Sequence, residues 1–165
     1  MSIFTVLKQT TLLTIKRQRA MKKKAVEYSI TAKKQDFEVV KVYSSIDSAN
    51  FARKFYHEDI LIYESAFIIL MNKACNITGY AKISQGGICS ALADKRLIAK
   101  YAIDTLSTNV IFVHNHPSGN KNPSNEDIKM THSLKNLLDI FDIKLLDSII
   151  LTENDYLSMN DECLI

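Results

Sequence analysis

The stretch Val110-Ile111-Phe112-Val113-His114-Asn115-His116-Pro117, followed through a turn-rich segment by Ser124-Asn125-Glu126-Asp127, decides how the chain is read. Residues 110–113 are a short, continuous apolar run of the kind found in a buried strand. The run ends at His114, and two histidines at i and i+2 of a strand end point to the same side. Residues 115–123 are rich in turn formers, and Ser124 opens a helix predicted to reach about residue 140, with Ile128, Leu134, Leu137 and Leu138 as its apolar stripe. Asp127 falls in the first turn of that helix, eleven residues past His116. A strand–loop–helix link of this length can fold back and bring the carboxylate to the two imidazoles. Two His and one Asp make three metal ligands and leave a fourth tetrahedral position open, which marks a catalytic rather than a structural zinc; water bound there is acidified toward neutral pH. Ser124-x-x-Asp127 is equally a helix N-cap with an acid at N3, and the two roles are compatible.

Outward from this stretch, strands and helices alternate. Residues 36–43 (DFEVVKVY) alternate in the manner of a strand, and Ser44, Ser45 and Asp47 offer caps for a helix over about 48–57. Residues 66–71 read as a buried strand, 72–76 as a turn, and 77–83 as the hairpin partner, with Gly86-Gly87 marking a loop or bulge. Asp94 is placed to cap the helix KRLIAKYAIDTL, whose Leu97, Tyr101 and Ala102/Ile103 fall on one face. Residues 144–151 predict a further strand and 156–158 a last short one. The expected fold is α/β, a single domain with a mixed sheet flanked by helices.

Composition agrees with such a domain. The chain has 165 residues, of which 47% are hydrophobic and 24% charged, with only 4 Gly and 2 Pro. Cys75, Cys89 and Cys163 are odd in number and form no C-x-x-C, which argues against a disulfide framework or a Cys-rich finger and for a reducing cytoplasm. The net charge of +3 is unevenly spread. Residues 1–34 hold nine of the 21 bases and one acid, Glu27, whereas the remainder is acidic by five charges. Residues 1–35 are therefore expected to form a basic, partly disordered arm that is either simply solvated or touches nucleic acid, and residues 36–165 the domain. Two further readings are open for the first 20 residues: an imitation of an organellar transit peptide, or sequence ahead of a true start at Met21. No stretch approaches the ~18 uninterrupted apolar residues of a membrane span.

Hydrolysis at such a metal also needs a general base. No Glu occurs between residues 66 and 125. Glu58 sits in a polar turn and reads as a surface charge, and Glu126 points to a different side of its helix from Asp127. Glu64, directly ahead of the apolar strand, is the candidate.

These residues resemble the JAMM motif of the JAB/MPN metallohydrolases: His-x-His-Pro, then Ser-x-x-Asp, with a Glu far upstream. The resemblance is closer to the RadC-like branch. It is carried by His114-Asn115-His116-Pro117-Ser118-Gly119, Pro123-Ser124, Asp127 and Thr131. Tyr63-Glu64, Ser84-Gln85-Gly86-Gly87, Ala93-Asp94, Leu145-Leu146-Asp147 and Tyr156-Leu157-Ser158 carry it further. It spans about residues 44–165 and implies a JAB/MPN-like fold with Zn2+ held by His114, His116 and Asp127. It also implies Glu64 as the acid/base and Ser124 as the hydrogen-bond donor to the oxyanion, in hydrolysis of a peptide or isopeptide bond. Three positions depart from the family pattern. Ser148 stands where His is usual after Leu-Leu-Asp, Lys95 replaces a Pro, and Cys163 replaces a Gly, a poor exchange if that backbone has positive φ.

Members of that branch carry a DNA-repair label and often accompany mobile elements. Together with the basic arm, this keeps a second function in view, a DNA-associated accessory protein whose domain binds rather than cleaves. A catalytically dead scaffold is a third. There is no H-E-x-x-H, no P-C-x-x-C and no Gly-rich phosphate loop, so zincin, deaminase and nucleotide-hydrolase chemistries lack support.

Overall fold

The computed structural model describes residues 31, 33, 38–56, 58–87 and 93–165. By its contacts the chain divides into Met1–Lys34 and Gln35–Ile165, and the second unit carries every element below. The expectations for the basic arm, for the first 20 residues and for Cys89 lie outside the described residues.

Five strands form one mixed sheet in the order β2-β1-β3-β4-β5. They are β1 (Glu64–Met71), β2 (Ile77–Gly87), β3 (Asn109–Asn115), β4 (Lys144–Leu151) and β5 (Tyr156–Ser158). Among the described residues three α-helices accompany them: α1 (Ser45–Arg53), α2 (Lys95–Asp104) and α3 (Asn125–Asp139). β1 pairs antiparallel with β2 and β3, β4 runs parallel to β3, and β5 closes antiparallel on β4. The one parallel pair is joined through α3, because parallel neighbours need a crossover.

β1 and β3 are apolar along nearly their whole length because both faces of the sheet are covered. On one face Ala49, Phe51 and Ala52 of α1 pack with Ile60 on Phe67, Ile69, Ile111, Val113 and Ile149. On the other, Ile98, Ala99 and Ala102 of α2 and Leu134 and Leu138 of α3 pack on Ile68, Leu70, Val110 and Phe112. Among the described residues no helix is long and apolar enough to cross a membrane.

The α/β layering, β1, β3, β4, β5 and the caps at Asp94 and Ser124 follow the sequence expectations. Four details differ. Within 38–43 the expected strand is reduced to a single bridge, Lys41 to Asn76, flanked by two backbone hydrogen bonds. α1 starts three residues earlier than expected, because Ser44 and Asp47 form a reciprocal capping box that fixes its first turn. α2 buries Ile98, Ala99 and Ala102, leaving Leu97 and Ile103 substantially exposed, since small side chains allow close approach to the sheet. Gly86 and Gly87 belong to β2: Glu64 pairs with Gly87 and Ser65 with Gln85, so Gly86 bulges out at φ +82°, a backbone suited to Gly.

A single buried amide fixes the end of β3 to the start of β1. Asn115 is fully buried. Its Oδ1 accepts from Ser65 N (2.8 Å) and Ser65 Oγ (3.2 Å), and its Nδ2 donates to Ile60 O (2.8 Å) and Tyr63 O (3.0 Å). All four hydrogen-bonding positions of the amide are used. Asn115→Ala strands a buried N–H and two carbonyls and should cost about 2–4 kcal/mol in urea unfolding. Asn115→Asp turns a carboxylate onto two carbonyl oxygens and should cost more; a loss within about 0.5 kcal/mol of zero would contradict this role.

At the C-terminal end, Cys163 has φ 55°, the left-handed region, and is exposed. The backbone strain anticipated for a non-Gly residue there is present. Cys163→Gly should therefore raise stability by about 0.5–1 kcal/mol by the same measurement, and a neutral or destabilising outcome would show that the turn is unstrained.

Candidate metal centre

His114 is the next-to-last residue of β3 and faces the α2/α3 side, the face Phe112 shares two residues earlier. The Phe112 ring stacks on the imidazole at 5.6 Å between centroids and 30°. His116 lies one residue beyond the strand, where its N–H donates to Leu151 O of β4 (2.8 Å) and prolongs the β3–β4 ladder. Both imidazoles thus point the same way, and their Nε2 atoms approach to 3.1 Å. Asp127 is carried back by the loop: its Oδ1 is 3.3 Å from His114 Nε2 and its Oδ2 3.6 Å from His116 Nε2. One donor atom from each of the three residues lies within 4.8 Å of the others.

The donor set suits a zinc ion. His116 Nδ1 lies 2.7 Å from Asn120 O, and a carbonyl only accepts, so that nitrogen carries the proton and the Nε2 lone pair faces the cage. His114 Nδ1 is buried without a hydrogen-bond partner among the described residues, so this imidazole is held by the Phe112 ring and its enclosure instead. Burial opposes ionisation of Asp127, but the His114 and His116 imidazoles, which donate to it when protonated at Nε2, outweigh it and hold the carboxyl well below the usual carboxylate range. That interaction with Asp127 raises His116 against its own burial.

Glu64 and Ser124 line the cleft that contains the cage, a space of about 620 Å³. Glu64 opens β1 and is half-buried. Ala66 pairs with His114, and carrying that register two residues further sets Glu64 opposite His116. Ser124 is engaged in the cap: its N–H (2.8 Å) and Oγ–H (2.6 Å) both donate to Asp127 Oδ2, while its Oγ accepts from Asp127 N (3.1 Å). The hydroxyl expected at an oxyanion is therefore turned to the ligand carboxylate. Glu58 lies in the one-turn helix Glu58–Leu61. Glu126, set aside in the sequence reading, does line the cleft, as do Phe112 and Met130, whose apolar character disguised them as core.

Ser148 and Lys95 are both accommodated. Ser148 is fully buried on the α3 side of β4, and its Oγ accepts from Thr131 Oγ1 at 3.1 Å. Lys95 Nζ donates to Ser133 Oγ, tying α2 to α3.

The loop bearing His116 is braced from outside. Lys121 pairs with Asp155 in the β4–β5 loop. Arg53 of α1 holds that loop by donating to Thr152 O (2.9 Å), Glu153 O (2.8 Å) and Asp155 O (2.5 Å). Arg53→Ala should weaken zinc binding about three- to tenfold in a chelator competition while unfolding stays cooperative; an unchanged affinity would show that the brace does not reach His116.

The family model described as RadC-like JAB domain matches residues 42–164. A UPF0758 protein of Flavobacterium johnsoniae is 37% identical over 102 residues, covering 62% of this chain and 44% of that protein. One of Chlorobaculum parvum is 36% identical over 102 residues (62% and 46%), and one of Staphylococcus epidermidis 38% over 96 (58% and 42%). The matched segment thus spans under half the length of these curated relatives. With the match running from ahead of α1 to the penultimate residue and taking in the whole His-His-Asp cage, the chain belongs to the RadC-like JAB domain family.

Proposed function

We propose that this chain is a zinc-dependent metallohydrolase that cleaves an amide bond of the peptide or isopeptide type. The observation that carries the proposal is the convergence of His114, His116 and Asp127 donors within 4.8 Å, in one cleft with Glu64. His114, His116 and Asp127 would hold a zinc ion, which would supply a Lewis acid and an acidified water.

The protein's own groups divide the remaining work. Glu64, at the mouth of β1 opposite His116, accepts the proton from the attacking water and delivers it to the leaving amine nitrogen. Ser124 donates to the oxyanion of the tetrahedral intermediate by rotating its hydroxyl off Asp127 Oδ2. The Ser124 N–H remains on that oxygen, so Asp127 keeps its orientation when the hydroxyl turns away. Asn120 O keeps the His116 Nε2 lone pair directed inward throughout. Among the described residues that line the cleft, Glu64, Glu126 and Asp127 are acidic and none is Lys or Arg, a lining that favours a neutral amide over a phosphodiester.

Full-length protein purified without an affinity tag should contain one zinc per chain, and His116→Ala should lose it. Glu64→Gln should retain the zinc and lower hydrolysis at least ~100-fold. Absence of stoichiometric zinc, or metal content unchanged by His116→Ala, would overturn the proposal.

A further inference from the structure

The cleft has a second wall that the hydrolytic groups do not use. Phe112 is buried beside His114, and Met130 of α3 and Ala93, just ahead of α2, extend an apolar surface from it. Glu126 is exposed and lies one helical turn before Met130, so α3 presents an acid and then a thioether along the same side of the cleft. Glu126 makes no ion pair with a described residue, unlike Asp94, Asp104, Asp139 and Asp155, which are paired with Arg or Lys. The apolar wall is the deeper part and the acid the outer part, because Phe112 is 4% exposed whereas Glu126 belongs to the exposed class.

We propose that this wall selects the substrate: a peptide segment with a bulky apolar side chain seated on Phe112, Met130 and Ala93, and a Lys or Arg beside it facing Glu126. The inference rests on the amide-hydrolase reading and adds the substrate class to it. An apolar side chain gains by leaving water for the wall, and Met adapts to its shape. A cation at the mouth meets Glu126 without displacing an existing partner, whereas an acidic residue or a phosphate there meets like charge. Ser118, Asn120 and Asn122 also line the cleft; the Ser118 hydroxyl and Asn120 Oδ1 accept from Asn120 N and Asn122 N, which leaves the Ser118 O–H and the Asn120 and Asn122 amide N–H groups to donate to the peptide backbone.

The test uses three fluorescein-labelled, end-blocked hexapeptides, alike except for a central Leu-Lys, Leu-Glu or Ser-Lys pair. Binding to the zinc-loaded Glu64→Gln protein is followed by anisotropy, and cleavage by the wild type in parallel; zinc content and circular dichroism establish that each variant is folded. The Leu-Lys peptide should bind about tenfold tighter than either other peptide. Glu126→Lys should reverse the Lys-over-Glu order, and Met130→Ser should weaken the Leu-Lys peptide about fivefold while keeping that order. Peptides bound without discrimination, or a charge preference unmoved by Glu126→Lys, overturn the inference. Selective binding with no cleavage by the wild type removes the hydrolase reading and leaves the selectivity standing. Unselective cleavage does the reverse, and a protein that neither binds nor cleaves any of the three overturns both.

Discussion

The Asn115 amide is the constraint from which the rest of the site follows. A fully buried primary amide has two donors and two acceptor positions to satisfy, and any left unmade would cost the full desolvation of that group. Here both ends of the amide reach the chain on either side of Glu64: Tyr63 O on one side, Ser65 on the other, with Ile60 O behind. The β1–β3 register therefore cannot slip without leaving several buried polar groups unpaired at once. Since Glu64 stands between Tyr63 and Ser65, and His114 and His116 stand on either side of Asn115, fixing one residue fixes Glu64 against the His-His-Asp cage. The β2 bulge at Gly86 serves the same end, because it lets Glu64 lie at the strand's mouth while β1 and β2 stay paired beyond it.

Asp127 is positioned by a local device instead. The capping box with Ser124 is set by four consecutive residues and needs no long-range contact. It does two things with one carboxylate: Oδ2 accepts from the Ser124 N–H and hydroxyl while Oδ1 leans toward His114. A negative group at a helix N-terminus is also favoured by the helix dipole, so the same placement that brings the carboxylate to the two imidazoles stabilises α3. The cage is thus assembled from one long-range constraint on β1 and β3 and one short-range constraint on α3, joined by the loop that Lys121, Asp155 and Arg53 brace.

How legible each part was in the sequence follows from that division. The His-x-His spacing, the Ser-x-x-Asp cap and the apolar runs of β1, β3 and β4 are local patterns, and all are found in place. The position of Glu64 depends on a pairing across about fifty residues, which its place directly ahead of an apolar strand and a Glu-free stretch suggested but no periodicity could give. Asn115 read as a turn residue because nothing local separates a buried, fully bonded Asn from an exposed one. The α2 face is met in part: Ala102 and Tyr101 pack as the sequence suggests, but Ile98 and Ala99 are buried in place of Leu97 and Ile103, because close packing against the sheet favours a small side chain at Ala99 over the larger apolar ones. Residues 38–43 alternate like a strand but lie at the sheet's edge beside only the start of β2, so a single bridge forms there.

Ser148 bears on the cage less than its place in the family pattern suggests, and the two histidines show why. His116 has its tautomer set by Asn120 O, a backbone acceptor held by its own loop. His114 has no such partner among the described residues; its orientation comes from 5% exposure and the stacked Phe112 ring. Ser148 pairs across the ladder with Phe112, not with His114, and its hydroxyl is already satisfied by Thr131, one turn along α3 from Asp127. The Ser148–Thr131 bond therefore ties β4 to α3 beneath the cage and supports the ring that positions His114. Its contribution reaches the ligands through packing, by way of Phe112 and the helix that carries Asp127, whereas the hydrogen bond that selects a ligand tautomer lies on the other histidine.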